Sequence, residues 1–274
     1  MNSANAPNAP NAPKPPERHT SNLDNRFVVA AVYFAVLGTL AVGLVLSPVK
    51  YSSPDFAAEF FSTEVVVGVL CALATFFVFS AREFGLRRPQ HVSLRNVFPV
   101  LVLAGAGFSA WGLAWLGVPG GRSVGWAPAA RTLATTSLVG FSEEWMYRGV
   151  LLVAFGRAFG LRKGARLALV MFGALHLLNM IAGVPPLYSL VQFCMTIVIG
   201  SSLLLVAIRT RSLVIPIVAH ALYDFFVIDA QRAISMGGPS WPTTCVIVAL
   251  VVVGAISIAS LWRLEGDDPY GEKG

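Results

Sequence analysis

Long apolar runs separated by short polar connections fill the chain from residue 27 onward. Eight runs lie near the ~20 residues that a helix needs to cross a bilayer. They fall at about 27–46, 64–80, 97–116, 129–155, 166–182, 187–208, 212–228 and 241–262. The pattern predicts an all-α, polytopic integral membrane protein. The first 26 residues break it. Asn5-Ala6-Pro7, Asn8-Ala9-Pro10 and Asn11-Ala12-Pro13 form a tripeptide repeat ahead of Lys14-Pro15-Pro16. Such a tract has too little apolar area to offset its ordering entropy, so a disordered tail is expected over residues 1–26. It lacks the charged start, apolar core and cleavage site of a secretory signal, so no removal is expected.

Composition agrees with the pattern. The 274-residue chain is 55% hydrophobic and only 12% charged, with mean hydropathy +0.69. Soluble domains carry about 25% charged residues. Basic residues then test the span count independently. Fifteen fall before the first span, in the second-to-third, fourth-to-fifth and sixth-to-seventh connections, and in the C-terminal tail. Only Lys50, Arg122, Arg131 and Arg232 fall in the alternate connections, and Arg148 lies inside a span. Cytoplasmic loops are enriched in Lys and Arg, so both termini are expected in the cytoplasm. The net charge of +6 then reflects topology and anionic lipid headgroups, and no nucleic-acid partner is expected. Cys71, Cys194 and Cys245 lie in apolar spans without paired spacing, so they read as small packing residues. No nucleotide-binding loop, Gly-Ser nucleophile elbow or inverted repeat of broken helices is present.

Three polar islands interrupt the apolar spans: Glu143-Glu144-Trp145-Met146-Tyr147-Arg148, Phe172…His176 and His220…Asp224. A charge at the centre of a spanning helix costs at least ~2.5–3.5 kcal/mol, which makes intramembrane charge a functional-site hypothesis. With the fourth span running inward and the fifth and seventh outward, all five acidic and imidazole groups lie about 13–21 Å from the cytoplasmic boundary, at ~1.5 Å per residue. Side chains at one depth on three helices can satisfy one another in a shared cavity.

Spacing separates their roles. Glu144 and Arg148 are four residues apart with the acid N-terminal, the favourable order, and predict a structural brace. Glu143 is rotated by about 100° from Glu144 and has no basic partner at helical spacing, so it is free to face the histidines. A nearby imidazole can hold or pass its proton. His220 and Asp224 also share a face, where the carboxylate can fix the imidazole tautomer or keep the ring charged. Simpler readings exist for each part. An intramembrane histidine is commonly an interhelical hydrogen-bonder, a Glu–Arg pair commonly a brace, and Phe172 a packing residue. Asp224 could cap a polar gap, Tyr147 and Tyr223 could line a cavity, and Asn179 could bond a helix or a ligand. The conjunction of Glu, two His and Asp at one depth favours a single site.

In this order the islands resemble the motifs of the CAAX-protease and bacteriocin-processing (Abi) family of intramembrane endopeptidases. Those motifs are Glu-Glu-x-x-x-Arg, Phe-x-x-x-His and His-x-x-x-Asn/Asp. The run Ser212-Leu213-Val214-Ile215-Pro216-Ile217-Val218-Ala219-His220 is similar to the family's approach to its last histidine. The resemblance covers about residues 127–228. It divides the chain into a tail (1–26), three accessory helices (27–126), a catalytic core of helices four to seven (127–228), and a last helix with a cytoplasmic tail (229–274).

The resemblance implies a helical membrane domain around a central polar cavity that hydrolyses peptide bonds near the membrane surface. By position, Glu143 is the general base and His176 its partner. His220 and Asp224 polarise the scissile carbonyl and stabilise the oxyanion, while Glu144 and Arg148 support the first motif helix. Asp224 stands where eukaryotic prenyl-protein proteases have Asn. An ionised Asp cannot donate to an oxyanion, so it must be protonated or orient His220. The family mechanism has been read both with and without metal. Two His and a Glu would suffice for zinc, and the ligands would be Glu143, His176 and His220. No His-Glu-x-x-His pair occurs on one helix, and metal-free hydrolysis without a cofactor is the expectation.

The expected substrates are membrane-anchored or lipidated proteins or peptides processed near their C-termini. Sixteen Arg against four Lys, with abundant Ala, Gly and Val, point to a GC-rich bacterial genome and an inner-membrane location. Bacteriocin precursors, secreted peptides and sorting-type anchors are then the candidate substrates. A non-catalytic scaffold or immunity protein with the same fold is the alternative, though degenerate motifs would favour it and these are complete. A proton-coupled transporter is a third reading, opposed by the absence of a recognisable repeat.

Overall fold

The computed structural model describes residues 21–47, 49–50, 53, 55–121, 125–266 and 269–270. Their regular structure is all helical, with no strand among them. The membrane-length helices are α1 (Arg26–Leu46), α4 (Leu94–Leu116), α8 (Pro186–Thr210), α9 (Val214–Ser235) and α10 (Trp241–Leu261). A four-residue helix α2 (Phe56–Glu59) precedes the shorter apolar α3 (Phe61–Phe77). Residues of the fourth expected span form a compound rod. It comprises α5 (Trp126–Glu144), a π-helical turn (Trp145–Leu151) and α6 (Leu152–Phe159). The fifth begins earlier than expected as α7 (Leu161–Leu175) and ends in a 3₁₀ turn, His176–Met180.

Local chemistry sets several of these starts. The Asn25 side chain accepts from the amides of Phe27 and Val28 to open α1. Ser93 accepts from the amide of Asn96 to open α4. Both caps satisfy donors that a helix N-terminus leaves without intrahelical partners. Pro186 and Pro242 stand in the first turns of α8 and α10, where a missing N–H costs nothing.

α9 lies at the centre, packed on α4, α5 and α8, while α10 leans on α4 and α8. α3 flanks α5 and α1 flanks α3. The main core gathers around Trp145, Met146, Val150 and Leu152 of the compound rod, with Phe84 and Phe172. Outward-facing apolar side chains such as Phe76 and Phe77 are exposed, as lipid contact requires. Gly140 governs the α5–α9 approach. A Cβ there would lie 2.9 Å from the amide nitrogen of Ala221 and 2.9 Å from the carbonyl oxygen of Ile217. Only a glycine lets the two backbones meet so closely, one turn before Glu143 and Glu144 and beside His220.

Several expectations change. Residues 1–20 of the tail, Arg122 and Lys273 lie outside the described residues. Residues 21–26 are not tail: Ser21 caps a 3₁₀ turn (Asn22–Asp24), and its hydroxyl donates to Glu83 at 2.6 Å. Leu23 is buried there. The seventh helix continues to Ser235 rather than stopping near 228, which puts Arg232 inside it and buried rather than in a connection. Hydropathy ends the span early because Asp229 and Arg232 read as polar, yet they neutralise each other. Arg232 Nη1 lies 3.2 Å from Asp229 Oδ1 and donates to Thr132 Oγ1 at 2.8 Å. Asp229 Oδ2 accepts from Trp111 and Trp115 at 2.9 and 2.8 Å. Of the cysteines, Cys71 is buried, but Cys194 and Cys245 are exposed, so packing describes only the first.

Candidate active site

Four elements converge on one cavity of about 820 Å³. The end of α5 supplies Glu143, the junction of α7 with its 3₁₀ turn supplies His176, and α9 supplies His220 and Asp224. α3 supplies Glu64. Most of the remaining wall is apolar, with Leu44, Phe60, Met195 and Val227 among the lining residues. A mostly apolar hollow with a few convergent polar groups is the usual form of a binding or active site.

His220 is the best-held member. Its Nδ1 lies 2.8 Å from Glu144 Oε1, and both residues are buried. A carboxylate only accepts, so this contact places a hydrogen on Nδ1 and directs Nε2 into the cavity. Nε2 stands 3.4 Å from Asp224 Oδ2 and 3.7 Å from Glu143 Oε2. By spacing, Asp224 is expected either to fix the tautomer of His220 or to keep its ring charged. The structure gives the Nδ1 side to Glu144 and puts Asp224 on the opposite, Nε2 side, which faces the cavity.

Glu144 therefore has two partners on one oxygen. Arg148 Nη1 stands 3.1 Å from Oε1, at the i,i+4 spacing anticipated. The guanidinium then donates from Nη2 to the Gly200 carbonyl at 3.0 Å and lies 3.9 Å from the centroid of Phe172. Phe172 is more than filler. Its ring also contacts His176 and His220 edge-on, at centroid distances of 5.3 and 6.1 Å. The motif phenylalanine thus packs against the cation and both imidazoles. Arg148 sits in the π-helical turn, all seven residues of which are buried. π-turns of this kind are frequent at functional sites.

His176 is fixed from its own helix. Its Nδ1 lies 3.1 Å from the Phe172 carbonyl. Because a carbonyl accepts, Nδ1 carries the hydrogen and Nε2 remains for the cavity. Asn179, one turn on, donates to Gln192 Oε1 of α8 at 2.9 Å, and both amides line the cavity. Of the two tyrosines singled out, Tyr223 lines the cavity. Tyr147 does not; it is buried against Tyr33 and Phe172.

The conditional zinc ligands meet this geometry poorly. Among the described residues, no group of three or more His, Cys, Asp or Glu side chains is gathered so as to hold a metal ion. Both imidazole Nδ1 atoms are already engaged, and a ligand set of Glu143, His176 and His220 would require the side chains to close in.

Two contributors escaped the sequence reading. Glu64 lies at the edge of the expected second span, but the helix starts at Phe61, so Glu64 falls in its first turn and is buried. A lone acid at the start of an apolar run was the available signal. Tyr270, near the C-terminus, is buried and donates its hydroxyl to the Arg148 carbonyl at 2.8 Å. No periodicity would have located it.

Residues 125–226 match the family model described as type II CAAX prenyl endopeptidase, Rce1-like. The matched segment contains all three polar islands, and its helices are those that wall the cavity at Glu143, His176 and His220. No curated protein and no solved structure matches the chain.

Proposed function

We propose that this protein is an intramembrane endopeptidase that cleaves membrane-anchored or lipidated proteins or peptides near their C-termini, close to the membrane surface. The family match over residues 125–226 supports a membrane endopeptidase at family level. The observation that carries the mechanistic reading is His220. Its Nδ1 is tied to Glu144 at 2.8 Å, while its Nε2 looks into the cavity beside Glu143 and Asp224.

Glu143 takes a proton from water as the water oxygen attacks the scissile carbonyl. His220, protonated at Nε2, donates to the developing oxyanion. Asp224, on the same side of the ring, steadies that imidazolium. Collapse breaks the C–N bond, and the proton held by Glu143 passes to the leaving nitrogen through the free Nε2 of His176. The products are a carboxylic acid and an amine. The residues accomplish this without a metal, and the apolar cavity wall suits a substrate with a greasy anchor. Both termini lie in the cytoplasm, in a bacterial inner membrane.

The test uses purified protein in detergent with two quenched-fluorophore reporters. One carries a farnesylated C-terminal CAAX peptide, and the other a peptide ahead of a transmembrane anchor. Wild type cleaves at least one reporter, while Glu143→Ala and Glu143→Gln fold but do not cleave. Undiminished cleavage by either variant removes Glu143 from the mechanism. Binding without cleavage by wild type would favour the non-catalytic scaffold.

A further inference from the structure

α3 adds a carboxyl that the three motif islands do not contain. Glu64 is 3% exposed and lines the same cavity as Glu143. It stands in the first turn of α3, which packs against α5, the helix that carries Glu143. Oε2 of Glu64 and Oε2 of Glu143 are both buried without a hydrogen-bond partner. The approach of His220 Nε2 to Glu143 Oε2, at 3.7 Å, is too long for a hydrogen bond. Glu64 also lies outside the family-matched segment, on α3.

Buried acceptors without a donor are unusual, because buried polar atoms in folded proteins nearly always find partners; Glu144 Oε2 is a third such carboxyl oxygen, but only Glu64 and Glu143 line the cavity. Carboxylates only accept. Water is the smallest molecule with two hydrogens to give, and a polar, roomy site with several partners is where buried water is held. We propose that Glu64 is a positioning residue for the hydrolytic water: Glu64 and Glu143 each accept one of its hydrogens. The oxygen lone pair is thereby left to face the scissile carbonyl.

This rests on the reading of Glu143 as general base. As the C–O bond forms, the O–H bond towards Glu143 breaks and that proton moves to Glu143. The hydrogen held by Glu64 stays on oxygen and leaves with the acid product. Glu64 exchanges no proton; its role is to fix the direction of attack.

The test compares Glu64→Gln and Glu64→Leu on whichever reporter wild type cleaves, together with a high-resolution crystal structure of the wild-type protein. Loss of a hydrogen bond to a charged group predicts that Glu64→Leu lowers kcat about tenfold or more, with KM within about twofold. Glu64→Gln keeps an acceptor oxygen and retains most of kcat. The crystal structure shows an ordered water within hydrogen-bond distance of both carboxyls. Wild-type kcat in Glu64→Leu, a loss confined to KM, a Gln variant as poor as Leu, or a water bonded to Glu143 alone overturns the proposal. If Glu64→Leu fails to fold, the Gln variant and the crystallographic water decide. If wild type cleaves neither reporter, the protease reading fails and the water still decides the role of Glu64.

Discussion

Glu144 Oε1 accepts from His220 Nδ1 at 2.8 Å across the α5–α9 contact, so the carboxylate that braces Arg148 also aims the His220 imidazole into the cavity. The two functions cannot be separated by removing the charge. Leaving Arg148 buried without its partner costs about 3–5 kcal/mol. Glu144→Gln should therefore lower the thermal stability of the detergent-solubilised protein and abolish cleavage. A Glu144→Gln/Arg148→Met double variant should recover part of the stability without recovering activity, as thermal unfolding and reporter cleavage will show.

Gly140 sets the distance over which that contact forms. Gly140→Leu places side-chain atoms where the Ala221 and Ile217 backbones already sit. Overpacking of this kind costs about 1–3 kcal/mol, and here it also pries Glu144 from His220. The expected result is a folded but destabilised protein with little or no cleavage, whereas Gly105→Ala, in open space, behaves as wild type.

Asp224 stands on the cavity side of His220, 3.4 Å from Nε2. Asp224→Asn preserves an acceptor there and supplies a donor. Its kcat should stay within about tenfold of wild type, while Asp224→Ala loses more than that. Steady-state kinetics of the three proteins on one reporter separates the roles, and an inactive Asn variant would show that the negative charge itself is needed.

Exhaustive dialysis against EDTA should leave the cleavage rate unchanged, and added zinc should not raise it. Loss of activity restored by zinc, with stoichiometric zinc by elemental analysis, would instead assign the metal to Glu143, His176 and His220.

How much of this was legible in the chain varies by residue. The Glu144–Arg148 pair follows from i,i+4 spacing alone, and the three islands follow from their conflict with an apolar background. The end of α9 was misplaced because Asp229 and Arg232 look like loop residues until their mutual pairing and the indoles of Trp111 and Trp115 are seen. Glu64 was passed over because it stands at a span boundary, where an acid is ordinarily solvated.

Hydropathy and period determine by themselves that this chain is a bundle of membrane helices and which side chains the bilayer will not tolerate unpartnered. That much is local: insertion energy and helical spacing depend only on near neighbours in the chain. Which carboxylate holds His220, that Phe172 packs against Arg148 and both imidazoles, and that α3 delivers Glu64 to the cavity of Glu143 were decided only by tertiary structure. Each depends on how helices distant in sequence are rotated and how closely they approach, and those distances are set by packing around residues such as Gly140.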